Sequence, residues 1–72
     1  MRVTFNFYYQ NGSPIGSYRT DINRLPREGE SITINRSDMN HQLINRIFIV
    51  DNIHTEYSGE DEIITIDVKL PE

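Results

Sequence analysis

Polar and apolar residues alternate along most of this chain. Val3, Phe5, Phe7 and Tyr9 fall on one face of an extended segment, and Arg2, Thr4, Asn6, Tyr8 and Gln10 on the other. Period-two alternation of aromatic and β-branched residues marks a half-buried strand. Asn11-Gly12 follows directly, a pair suited to the positive φ angles of a tight hairpin. A two-residue loop there pairs Gln10 with Ser13, Arg2 with Asp21 and Phe5 with Tyr18. A four-residue loop, Asn11 to Pro14, instead pairs Phe7 with Tyr18 and Val3 with Ile22. Both registers keep the same residues inside, so the faces are better defined than the register.

The second strand runs over about 15–22. Leu25-Pro26-Arg27-Glu28-Gly29 then interrupts the ladder, with Leu25 expected to tuck into the core beneath the turn. Ser31–Asn35 reads as a third strand with Ile32 and Ile34 facing in. The polar run 36–42 reads as a loop or hairpin tip, with a capped helical turn starting at Ser37 as the alternative. The fourth and longest strand covers about 43–57. Leu43, Ile44, Ile47, Phe48, Ile49, Val50 and Ile53 populate both of its faces, as in a central or covered strand. The spacing from Val50 to Ile53 breaks the alternation, and a bulge at Asp51-Asn52 restores it. After a turn at Ser58-Gly59-Glu60-Asp61, a fifth strand directs Ile64, Ile66, Val68 and Leu70 inward and Thr65, Asp67 and Lys69 outward. Ile63 points away from that inner face.

Five short strands without a helical period predict one all-β domain over residues 1–72. The expected form is a small five-stranded antiparallel barrel or strongly twisted meander, SH3-like or, alternatively, an OB-like Greek key. Closure would remove strand edges that so short a sheet cannot otherwise protect. The run Leu25-Pro26-x-x-Gly29-x-x-Ile32, followed by Phe48-x-Val50-x-x-Ile53 and a β-rich tail, resembles short uncharacterised proteins of phages and bacteria. The resemblance spans about residues 3–68. It implies a compact β module of mobile-element origin and transfers no catalytic residue.

Composition narrows the function classes. Seventy-two residues leave a thin core, which self-association would help to stabilise. There is no cysteine, so disulfides and thiolate metal sites are excluded. No apolar run is long enough for a membrane span, and the N-terminal segment lacks the apolar stretch of a signal peptide. These features predict a soluble cytoplasmic protein, in which the Asn11-Gly-Ser13 and Asn35-Arg-Ser37 sequons are accidental. The net charge of −4 is unevenly distributed. Residues 1–36 carry five Arg against three acids, and residues 37–72 carry Arg46 and Lys69 against eight acids.

Catalytic motifs are missing. There is no Gly-x-Ser-x-Gly elbow, and no glycine-rich loop precedes a helix. His54 and Glu56 share one face of the fourth strand but supply two metal ligands where three or four are needed. A barrel this small is not expected to enclose a ligand pocket of about 300 Å³. The expectation is therefore a non-enzyme without metal or cofactor. Arginines beside tyrosines suit single-stranded nucleic acid, but a sequence pI near 5.0 opposes it. The surplus of apolar residues on strand four, with Ile63, favours a protein–protein interaction module, self-associating as a homodimer. The acidic stretch Glu56–Glu62, taken with the phage resemblance, suggests an inhibitor of a host protein as one form of this function. A further alternative is an oligomer that sequesters a nucleotide or other small anion through Arg19, Arg24 and Arg27. The candidate recognition residues are Tyr8, Arg19, Arg24, Arg27, Ile47 and Ile49.

Overall fold

The computed structural model describes residues 1–71. Five strands, β1 (Arg2–Tyr8), β2 (Pro14–Asp21), β3 (Ser31–Thr33), β4 (Ile47–Ser58) and β5 (Asp61–Lys69), form one sheet in the order β2-β1-β5-β4-β3. The sheet curls into a half-barrel, and the described residues contain no helix. The fold is thus the all-β, barrel-like one expected, with two differences. β1 and β5 pair in parallel, which makes the sheet mixed rather than wholly antiparallel. The barrel also stays open, so β2 and β3 are edges and β4 lies next to an edge.

The central positions go to the strands with the most inward apolar surface. Val3 pairs with Ile64, Phe5 with Ile66 and Phe7 with Val68, and all six are buried. A parallel pair needs a long crossover, here supplied by the whole chain between β1 and β5. Two antiparallel hairpins flank this seam. In the first, Arg2 lies opposite Asp21 and Phe5 opposite Tyr18, the register of the two-residue loop. A bulge beyond Phe7 then shifts Tyr8 onto Pro14, and Tyr9 N–H donates to the Ser13 carbonyl at 2.8 Å to close a three-residue loop. The chain thus turns away after Tyr8, leaving Tyr9 exposed rather than buried as the alternation implied. In the second hairpin, the register shift between Val50 and Asn52 is the bulge expected at Asp51-Asn52. Gly59, at φ 63°, forms the two-residue turn between Ser58 and Asp61. Glycine has no Cβ to strain that conformation.

The inner face is covered by irregular chain. Phe7 and Phe48 belong to strands separated by β5, yet their rings meet edge to face with centroids 4.8 Å apart. Flat strands two positions apart lie about 9–10 Å from each other, so the rings lean together over the curled sheet. The 34–46 connection then crosses this face. Met39 and Leu43 from this polar segment enter the core, and a Cβ placed on Gly16 of β2 would lie 3.6 Å from Leu43 Cδ1. Tyr18 O–H donates to Asp38 Oδ1 at 2.6 Å and ties the same segment to β2. A single turn forms at Asn40, whose carbonyl accepts from Leu43 and Ile44 N–H and whose Oδ1 accepts from Gln42 N–H. The side-chain cap belongs to Asn40, not Ser37.

Three expectations change here. Leu43 and Ile44 precede β4, which starts at Ile47 after Asn45 takes a positive φ of 61°. Strand four therefore has a smaller outward apolar surplus, reduced to Ile47 and half-buried Ile49. Strand three ends at Thr33 rather than Asn35. Pro26 is buried in the place expected for Leu25, which remains 36% exposed. The adjacent proline ring supplies the apolar surface the core needs there.

Candidate functional site

The gap between the β2 and β3 edges forms an open cleft of about 440 Å³. It is open to solvent along one side rather than enclosed by the sheet. It arises because the half-barrel stops short of closure. Ile22, Ile32 and Ile34 contribute apolar lining, and Asn23, Asn35, Arg24, Arg36 and Glu30 contribute polar lining. Arg24 grips Glu30 through two nitrogens, Nη1 to Oε1 at 3.3 Å and Nη2 to Oε2 at 3.2 Å. This guanidinium, by hydrogen bond and charge, holds the Glu30 carboxyl below its ordinary pKa. Arg24 is thus largely committed to its neighbour. Arg36 makes one longer contact, Nη2 to the Asp21 carbonyl at 3.4 Å, and no salt bridge among the described residues. Sequence reasoning did not single out Arg36; its position between the polar residues Asn35 and Ser37 carries no spacing signal.

The six candidate residues fall into two groups. Tyr8, Arg19, Ile47 and Ile49 belong to the outer face of the sheet, and Arg24 and Arg27 to the β2–β3 connection. Tyr8 lies opposite Lys69, which lies opposite Ile49, so these three form one row across β1, β5 and β4. Arg19 lies opposite Thr4, four residues along β1 from Tyr8 and therefore about 13 Å away. Arg19 does not share a site with Arg24 and Arg27: its pairing with Thr4 turns it from the cleft. Ile47 is 58% exposed and remains available at the start of β4. Among the described residues, no three His, Asp or Glu side chains converge as a metal site, and no helix is long and apolar enough to cross a membrane.

A further feature is the outer edge of β4. β3 pairs only with Ile47–Ile49, and Gly29 and Glu30 bond the backbone of Val50 at 2.8 and 2.9 Å. Beyond Val50 no described strand pairs with the outer edge of Asn52–Ser58. The β1 ladder also ends at Ile64, so the tip of the β4–β5 hairpin projects past the rest of the sheet. The radius of gyration is 12.0 Å, against about 11 Å for a compact chain of this length. Tyr57, 76% exposed, and Ile63, 46% exposed, lie on this projection. Comparison with family models, curated proteins and solved structures gives no match.

Proposed function

We propose that this chain is a non-catalytic interaction module that binds protein, including a second copy of itself. The free outer edge of β4, bordered by exposed Tyr57, is the observation that carries this reading. An unpaired strand edge is a template for another strand, and natural proteins protect such edges when they do not use them. Ile47 and Ile63 add apolar surface outside the core. Association would also enlarge the buried fraction of a chain of only 8.5 kDa. The acidic tip, Glu56, Glu60, Asp61 and Glu62, suits a basic protein as a heterologous partner, the form an inhibitor from a mobile element would take. Sedimentation velocity from low micromolar to about millimolar protein tests self-association. A reversible species of twice the monomer mass is expected; a monomer at every concentration contradicts it.

The cleft supports a second reading, as a binder of small anions. Among the described residues Arg36 is not engaged in a salt bridge there, beside Asn23, Asn35 and an apolar wall, a combination suited to an anionic group carrying a flat apolar body. Titration with inorganic phosphate and with a nucleoside monophosphate, followed by NMR, tests it. Saturable shifts around the cleft that Arg36→Gln removes support the reading, and their absence contradicts it.

A further inference from the structure

The free segment Asn52-Ile53-His54-Thr55-Glu56-Tyr57-Ser58 is complementary to itself when run antiparallel. We propose that two copies of this chain join their sheets through this edge, about a two-fold axis at Thr55. The proposal rests on the self-association reading and specifies its surface.

In this register Thr55 meets Thr55 of the second copy, His54 meets Glu56, Ile53 meets Tyr57 and Asn52 meets Ser58. The pairing within the chain fixes which face each residue occupies. Ile53 and Thr55 lie opposite the buried Ile66 and Ile64, so Ile53, Thr55 and Tyr57 share the inner face. His54 and Glu56 lie opposite Thr65 and Ile63 on the outer face. The joined sheet therefore carries two His–Glu pairs outside and two Ile–Tyr pairs inside. An imidazole N–H can donate to a carboxylate whether the ring is neutral or charged. Aromatic–aliphatic and opposite-charge cross-strand pairs both stabilise a sheet.

Neighbouring registers lack this match. A two-fold axis perpendicular to the sheet keeps each residue on its own face, so the axis moves only between adjacent residues. At His54 it sets His54 against His54 and Asn52 against Glu56. At Glu56 it sets two carboxylates against each other. Thr55 alone pairs both opposite polar groups and both apolar side chains. The β2 edge is guarded differently: it starts at Pro14, carries a bulge near its start, and includes Gly16, Arg19 and Asp21. Asn52–Ser58 contains no Pro, Lys or Arg, and its bulge lies before it, at Asp51. Several devices that blunt an edge thus combine on β2, whereas this part of β4 carries only the charge of Glu56.

A charge exchange tests the register. Glu56→Lys is expected to weaken the dimer by about tenfold or more, since an ammonium cannot accept the imidazole N–H and both His–Glu pairs are lost. It also lowers the net negative charge, so relief of general repulsion predicts the opposite change. The double variant His54→Glu/Glu56→Lys places a carboxylate opposite an ammonium in the same register and is expected to recover most of the affinity. Both positions are exposed, and thermal unfolding checks that each variant is folded. A dimer insensitive to Glu56→Lys, or a double variant that does not recover, overturns the edge register and leaves self-association standing. A wild-type chain that never dimerises overturns both.

Discussion

Leu25 and Leu43 both sit in connections between strands, but only one belongs to the core. Leu43 is 3% exposed, lies over Gly16 and helps close the inner face, whereas Leu25 is 36% exposed. Truncating a buried leucine to alanine costs about 2.7–5 kcal/mol where the cavity stays open. Leu43 rides on an irregular segment that can settle into the gap, which places Leu43→Ala at the lower end, about 2–3 kcal/mol. A chain of this length has a total stability of roughly 4–11 kcal/mol, so that loss is a large share. It corresponds to a drop in Tm of about 10–20 °C and a fall in the urea midpoint of about 2–3 M for a slope near 1 kcal/mol/M. Leu25→Ala should cost less than about 1 kcal/mol, as a substitution outside the core. Parallel urea titrations followed by circular dichroism compare the two. Equal losses, or a larger loss at Leu25, would refute the assignment of the 34–46 connection as the lid of the core.

Four further substitutions probe other parts of the fold. Gly16→Ala should stabilise the fold by about 0.4–1 kcal/mol, because the new methyl meets only ordinary contact at Leu43, whereas Gly29→Ala should destabilise it because φ there is +87°; thermal melts distinguish them. The Arg24–Glu30 pair lowers the Glu30 pKa in the folded chain, so its contribution to stability is present above the ordinary glutamate range near pH 4 and is lost as pH falls through the lower folded value. Carboxyl NMR should therefore find the Glu30 midpoint rising in Arg24→Ala. The Asp38 hydrogen bond holds the Tyr18 phenol above its ordinary pKa, so that contribution is present below about pH 10 and is lost as pH rises through the folded value. Asp38→Asn should bring the Tyr18 midpoint down in an ultraviolet absorbance titration.

Much of the sheet is legible from local pattern. The alternation in β1 and β5 identifies the inward residues and Val50-x-x-Ile53 locates the bulge, whereas the Arg2–Asp21 match supports one of two hairpin registers that the pattern leaves open. The direction of the β1–β5 pairing is not legible in the same way, because a strand alternates identically beside a parallel or an antiparallel neighbour. Only the tertiary competition for the sheet centre decides it. The lid was masked in two ways: Met39 stands alone in a polar run, and Leu43 merges with the apolar run of strand four. Their spacing of four, which one helical turn places on one side, is the signal that could have found them. The cleft depends on where two distant edges stop, so Arg36 has no local mark. The β4 edge is half legible. The residue pattern of Asn52–Ser58 is self-complementary by inspection, but that its outer edge lacks a described neighbour follows from a three-residue β3 that pairs with β4 only as far as Ile49.

The most direct test of self-association through this edge is the concentration dependence of the backbone amide NMR spectrum of the wild-type chain. Shifts on dilution are expected to centre on Asn52–Ser58, follow one dimerisation curve and fade along β5 and toward β2. A spectrum unchanged by dilution, or changes centred on another surface with Asn52–Ser58 unaffected, would contradict it.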